Sequence, residues 1–288
     1  CNESGLNHYM GIAISAFVAT IIAWASTLLP AEWTSTPWHP LLACALFIVP
    51  GVPLINFVDD MLDNYIQVGI VRAVNTLLMV AAMAFGIAFA VKLCHIENFF
   101  PTISMVPHHQ YWEYAIAAAI SAMGFSMIFN IQRRLLWVVA IGGIIAVCTR
   151  NFVNLGPSTD NIGLDMGLVI GSFSGAVLVS LIAIKAVHWF HVPNHVLTIP
   201  SVIPMIPGVL MYRMLFGIIN INVQSIDQVT PLMKAIESGV NSGLVIMCIA
   251  LGVAIPNIFG RRFIASSKNK RLAELLKERK ARGKFVEW

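Results

Sequence analysis

Val49-Pro50-Gly51-Val52 and Ile206-Pro207-Gly208-Val209 are two copies of one Pro-Gly motif, and each lies inside a strongly apolar segment. Pro and Gly interrupt a helix, and in lipid the freed backbone groups are tolerated only where protein or a water-filled cavity satisfies them. Paired interruptions in the two halves of a membrane protein indicate a transport site. Each motif is followed by an apolar segment with an Asn and, eleven residues later, a Gly. These residues are Asn75 and Gly86 after the first motif, and Asn241 and Gly252 after the second.

The composition is typical of an integral membrane protein. Of the 288 residues, 58% are hydrophobic and 11% are charged, whereas soluble domains carry about 25% charged residues. The mean hydropathy is +0.78. We therefore predict an all-α polytopic membrane protein with about eight helices, some of them short or broken as around transport sites. The predicted spans are 9–29, 41–58, 65–92, 112–130, 135–149, 162–187, 196–219 and 230–257.

The distribution of basic residues predicts the orientation. Residues 261–284 contain ten of the 18 Lys and Arg residues, and Arg133, Arg134 and Lys185 fall on the same side of the predicted membrane. The opposing loops 30–40, 93–111, 150–161 and 220–229 contain only Arg150 and the boundary residue Lys92. The positive-inside rule then predicts a bacterial-type cytoplasmic membrane protein with both ends of this chain in the cytoplasm.

The two motifs fall in the second and seventh predicted spans, so they cross the membrane in opposite directions, as inverted repeats do. With five helices per repeat, residues 112–259 form a second repeat, and residues 1–93 form the last three helices of a first. Residues 94–111 are then an external linker. We expect the first two helices of the first repeat upstream of residue 1, in the same gene product or in a partner subunit. Residues 260–288 are predicted to form a basic amphipathic helix on the lipid surface, and no nucleic acid is expected as a partner.

Ionisable and amide groups near the motifs are the candidate site, because such groups are costly in lipid. Arg72 lies well inside the third predicted span and needs a carboxylate partner, with Asp59 and Asp60 nearest in sequence. A structural ion pair and a direct role in substrate or proton coupling both remain open for it. Asp60 and Glu237 are the candidates for proton exchange. The predicted proton-coupling or ion-pair residues are Asp59, Asp60, Arg72 and Glu237. The predicted substrate-binding residues are Pro50, Gly51, Asn56, Asn75, Pro207, Gly208, Tyr212, Arg213 and Asn241.

The helix that follows a Pro-Gly break begins with unpaired N–H groups and the positive end of a dipole. This predicts a small anion or zwitterion as cargo. The sequence contains no phosphate-binding loop, hydrolytic triad or metal-ligand spacing, so we predict neither an enzyme nor a cofactor or metal site.

Three stretches of the chain resemble the threonine/serine exporter family, including its two-component relatives associated with succinate export. PGVPLINFVDDMLDNYIQVGIVRA at 50–73 resembles the end of the family's first conserved membrane region. GFSMIFNIQRR at 124–134 and IPSVIPMIPGVLMYRML at 199–215 resemble two signatures of the second region. The resemblance implies a secondary exporter of threonine and serine in the cytoplasmic membrane, driven by the proton gradient.

Two alternatives stay open at this point. One is a dicarboxylate exporter in which Arg72 and Arg213 contact the two carboxylates of succinate. The other is a non-transporting membrane scaffold subunit whose partner supplies the absent helices. Assembly as a homo-oligomer is open as well.

Overall fold

A computed structural model describes residues 7–25, 51–94, 110–157, 162–190, 192–219 and 229–281. Within these ranges the side chains of His188, Tyr212, Leu215, Phe216, Ile219 and of residues 229–231 and 261–281 are not described. All regular structure in the described residues is helical. The helices are α1 (His8–Ala25), α2 (Gly51–Leu62), α3 (Ile66–Leu93), α4 (Tyr111–Ile128), α5 (Leu136–Asn154), α6 (Leu168–Phe190), α7 (Asn194–Val202), α8 (Gly208–Ile219) and α9 (Val229–Ala281), with 3-10 turns at Arg133–Leu135 and Ile203–Met205.

Five helical segments in the described residues are long and apolar enough to cross a membrane. They are His8–Ala25, Ile66–Leu93, Arg133–Asn154, Leu168–Val187 and Leu232–Gly260. The chain is therefore a multi-pass membrane protein, although the predicted eight spans are not all found among these segments. The predicted span 112–130 corresponds to α4, which is helical but is not one of the five. Of the predicted span 41–58, residues 41–50 lie outside the described part and the remainder belongs to α2.

The predicted span 196–219 is broken at its Pro-Gly motif, as the sequence predicted, and consists of two short helices. After α7, Ile203–Met205 forms a 3-10 turn with Pro204 inside it, and α8 begins only at Gly208. Proline has no N–H group to donate and cannot continue a helix without a kink. At the start of the new helix the Met211 N–H donates to the Pro207 carbonyl oxygen at 3.1 Å. The second Pro-Gly motif thus separates α7 from α8.

Two predicted boundaries around the fifth and sixth spans are wrong. Helix α5 continues to Asn154 rather than ending at residue 149, and therefore includes Arg150 in its last turns. Helix α6 begins at Leu168 rather than at 162, because Asp165 (φ 53°) and Gly167 (φ 88°) are in left-handed conformations that end regular helix. The preceding segment instead folds back onto the end of α5. There the N–H of Leu164 donates to the Phe152 carbonyl oxygen at 2.9 Å.

The predicted boundary between the last span and the basic tail does not interrupt the helix. Helix α9 runs through 53 residues from Val229 to Ala281. Its apolar part is Leu232–Gly260, and its basic part continues directly from there.

The core lies where α2, α5, α6, α7 and α9 meet. Its fully buried side chains come from the short helix after the first motif, from the segment before the second motif and from the last span. They are represented by Ile55, Val202, Met205, Ile249 and Val253, each no more than 1% exposed. The helix that follows the first motif and the segment that precedes the second thus belong to the same packed core.

Candidate functional site

Gly51 of the first Pro-Gly motif lies against the second motif in the folded chain. Gly51, the first residue of α2, is buried, and a Cβ atom placed on it would overlap Cδ1 of Ile206. Cγ1 of Ile203 would lie 3.9 Å from the same Cβ atom. Because Ile206 directly precedes Pro207 and Gly208, the start of α2 lies against the break between α7 and α8. We call Gly51 together with residues 203–208 the helix-break site.

Two helices begin at the helix-break site, α2 at Gly51 and α8 at Gly208. The first N–H groups of a helix have no acceptor in the preceding turn, and the helix dipole places partial positive charge there. The N–H of Gly208 donates to the Ile206 carbonyl oxygen at 2.8 Å, which closes the turn itself. Both helix ends favour a negatively charged group close to the break.

Arg150 contributes a full positive charge beside the same break. Its Nη1 donates to the carbonyl oxygen of Met205 at 3.4 Å. Its Nε and Nη2 both donate to Oδ1 of Asn151 at 3.2 Å. Asn151 is only 4% exposed, and Arg150 is partly buried. A charged side chain on an apolar span is therefore anchored at the helix-break site.

The sequence-based interpretation missed this role of Arg150, because it assigned the residue to an outer loop. The sequence contains a signal for a longer helix. No Gly or Pro lies between the apolar run and Arg150, and the first Gly and Pro after it are Gly156 and Pro157. Helices usually end at these residues, so the pattern is compatible with a helix reaching past Arg150.

A second group of polar side chains lies at the far end of α2 from Gly51. Nη1 of Arg72 and Oδ2 of Asp60 form an ion pair at 2.5 Å, with side chains 51% and 23% exposed. The neighbouring carboxylate of Asp59 has Oδ2 3.9 Å from Nε2 of His195, at the start of α7. These contacts join α2 to α3 and to the first half of the broken span.

The start of α7 is also joined to the last span. Nδ2 of Asn194 donates to Oδ1 of Asn257, which is 6% exposed. The other amide atoms of this pair, Oδ1 of Asn194 and Nδ2 of Asn257, are buried and have no partner among the described residues. We call Asp59, Asp60, Arg72, Asn194, His195 and Asn257 the polar cluster. Sequence reasoning missed Asn194, His195 and Asn257, since it left the first two in a loop and the third inside an apolar run.

The remaining predicted site residues are distributed over several helices. Asn56 on α2 and Arg213 on α8 are partly buried, whereas Asn241 and Glu237 are exposed on α9. Oδ1 of Asn75 on α3 accepts a hydrogen bond of 2.6 Å from the Tyr9 hydroxyl of α1. Pro50 lies outside the described residues, and Tyr212 belongs to α8 without a described side chain. In the part of the chain that the structure describes, no group of three His, Cys, Asp or Glu residues could hold a metal ion.

Two family models match the chain. Residues 114–259 match the model described as "Threonine/Serine exporter, ThrE", and residues 1–94 match the one described as "Putative threonine/serine exporter". The matches confirm the resemblance read from residues 50–73, 124–134 and 199–215. No solved structure matches the chain.

Proposed function

The chain belongs to the threonine/serine exporter family, and we propose that it carries threonine and serine out of the cell through the helix-break site. Members of this family are membrane transporters and not enzymes. The observation that carries the proposal for the site is the contact between Gly51 and Ile206. It brings the starts of two interrupted helices to one place inside the bundle. Such paired interruptions are the usual substrate sites of secondary transporters.

The chemistry of the helix-break site suits a zwitterionic amino acid. Its carboxylate would be bound by the first N–H groups of α2 and α8, where both dipoles favour negative charge. Asn56 and Arg213 each lie five residues after the first glycine of their helix, which is about 7.5 Å along the axis. Both are partly buried, and we assign them to the polar part of the cargo beyond its carboxylate.

Alternating access would come from two inverted halves. Gly86 of α3 packs against the Ala13 carbonyl of α1, and Gly252 of α9 packs against Cβ of Ala176 of α6. The two glycines hold the same position relative to Asn75 and Asn241. This equivalence supports the proposal that α1–α3 and α4–α9 derive from one repeated unit. Rocking of one unit against the other would expose the helix-break site to each side in turn.

Proton coupling is assigned to the carboxylates. Protonation of Asp60 would remove its attraction for Arg72 and loosen the connection between α2 and α3. Asp59 beside His195 and the exposed Glu237 are the further candidates. With the basic part of α9 in the cytoplasm, the polar cluster would lie at the cytoplasmic side, because Asn257 is close to that end of the span.

The proposal is tested by flux into sealed proteoliposomes that contain the purified chain. Labelled threonine, serine and succinate are compared with and without a pH gradient, with protein-free liposomes as the control. Threonine and serine flux that follows the gradient is the expected result. Flux of succinate alone would replace the amino-acid assignment by the dicarboxylate one. Absence of all three, with correct folding verified, would contradict transport by this chain and favour the scaffold alternative.

A further inference from the structure

Arg150 is a cation on a membrane span, and its hydrogen-bond partners in the described part of the chain are neutral groups. It donates hydrogen bonds to the amide oxygen of Asn151 and the carbonyl oxygen of Met205, and the Tyr114 side chain is close enough to interact with its charge. Within the described ranges, no carboxylate forms an ion pair with Arg150; ion pairs there include those of Arg72 with Asp60 and of His195 with Asp59. Charged side chains inside spans are rare and usually pair with another charge or mark a transport pathway. Arg150 therefore has the charge required to bind an anion.

The guanidinium also has N–H groups that are available to bind such an anion. It carries five N–H groups, and the three contacts within the described chain use one on Nε, one on Nη1 and one on Nη2. One N–H on each of the two terminal nitrogens has no acceptor among the residues that the structure describes. Two N–H groups of a guanidinium bind the two oxygens of a carboxylate in a bidentate pair.

Arg150 lies next to the helix-break site. The Met205 carbonyl that accepts from Nη1 is followed by Ile206, which covers Gly51, and then by Pro207 and Gly208. The guanidinium and the positive ends of α2 and α8 therefore belong to one small region. All three favour negative charge.

We infer that Arg150 binds the carboxylate of the transported amino acid, and that Asn151 positions the guanidinium for it. This inference rests on the proposed function and deepens it by naming the residue that recognises the carboxylate. Asn151 suits the positioning role, because it is buried and its single amide oxygen accepts from two nitrogens of the guanidinium.

A purely structural role for Arg150 makes a different prediction. If the guanidinium only stabilised the break through the Met205 carbonyl, its loss would weaken every ligand to the same degree. If it binds the carboxylate, its loss weakens only ligands that carry one. Serine and ethanolamine separate these cases, since ethanolamine is serine without its carboxylate.

The experiment measures equilibrium binding of serine and ethanolamine to the purified full chain and to the variants Arg150→Gln and Arg150→Lys. Arg133→Gln is the matched control, because Arg133 is exposed in the turn before α5. We expect Arg150→Gln to weaken serine about 10- to 100-fold, the effect of losing charge-assisted hydrogen bonds, and to leave ethanolamine unchanged. Arg150→Lys keeps the charge without the fork, so its loss should be smaller. Asn151→Ala should also weaken serine selectively.

Equal losses for serine and ethanolamine in Arg150→Gln would overturn the inference while leaving the proposed function intact. An unchanged serine affinity would overturn it as well. If Arg150→Gln does not fold, the serine-to-ethanolamine ratio of Arg150→Lys decides, and an unchanged ratio there counts against the inference. Failure of the wild-type chain to bind serine or threonine would contradict the proposed function itself, and this inference with it.

Discussion

Cδ1 of Ile206 occupies the space in which a side chain on Gly51 would lie, so Gly51 is held against the second Pro-Gly motif. Their contact places the starts of α2 and α8 together, with Arg150 attached to the preceding carbonyl. A larger side chain at position 51 would therefore displace Ile206 and alter the helix-break site.

Replacing Gly51 by Val should therefore reduce transport strongly. The added methyl groups would displace Ile206 and the helix start, and such overpacking typically costs about 1–3 kcal/mol. We expect threonine flux in proteoliposomes to fall by about 10-fold or more. Gly243→Val on α9 is the matched control, because no atom lies within 4 Å of a Cβ placed at Gly243.

The double variant Gly51→Val with Ile206→Ala tests whether overlap with Ile206 causes the loss of flux. Shortening Ile206 removes the overlapping atoms, so part of the flux should return. Full activity of Gly51→Val alone, or no gain at all in the double variant, would speak against the contact as a determinant of transport.

The ion pair between Arg72 and Asp60 allows a separate test of proton coupling. Asp60→Asn cannot exchange a proton, and we expect it to reduce gradient-driven threonine flux about 10-fold or more. Exchange of labelled for unlabelled threonine needs no net proton movement and should persist. Asp165→Asn serves as the control, since Asp165 is exposed before α6 and its left-handed backbone suits Asn.

An equal loss of both activities in Asp60→Asn would identify the pair as structural. Unchanged gradient-driven flux would exclude Asp60 from coupling and direct attention to Asp59 and Glu237. The ion pair is half-exposed on the Arg72 side, so a large effect on unfolding is not expected.

The sequence predicted the helical class and the position of the break, because composition and the Pro-Gly motifs are local signals. It did not predict that Gly51 touches Ile206, which depends on how distant helices pack. Arg150 was misplaced because the end of an apolar run was taken for the end of a helix. The sequence also did not predict the contact of His195 with Asp59 or the hydrogen bond between Asn194 and Asn257. Both join residues that are far apart in the chain, and nothing near them in sequence identifies their partners.

Gly86 and Gly252 should respond alike to enlargement if they are equivalent positions of a repeat. A Cβ on Gly252 would lie 2.7 Å from Cβ of Ala176 and 2.9 Å from the Phe173 carbonyl oxygen, and one on Gly86 would overlap the Ala13 carbonyl. Backbone atoms cannot move aside easily. We therefore expect Gly86→Val and Gly252→Val each to lower the free energy of unfolding by about 1–3 kcal/mol.

Thermal unfolding in detergent measures this effect, with Gly124→Val as the control because a Cβ at Gly124 meets nothing within 4 Å. A fall in the melting temperature of one variant only would contradict the equivalence of the two positions. Equal stability of all three variants would show that the close helix approach at these glycines is absent.

Asn194 and Asn257 connect the first half of the broken span to the last span through one amide hydrogen bond. A double-mutant cycle with Asn194→Ala and Asn257→Ala should therefore give a favourable coupling energy. Hydrogen bonds between helices in membranes are worth about 0.6 kcal/mol on average and about 1.7 kcal/mol at most, so the coupling should fall in that range.

Ser15→Ala paired with Asn257→Ala is the control cycle, because Ser15 donates within α1 to the Gly11 carbonyl oxygen and should not couple to α9. The free energies are measured by denaturant unfolding in detergent. A coupling energy of zero between Asn194 and Asn257 would mean that α7 is not held by α9 through this pair.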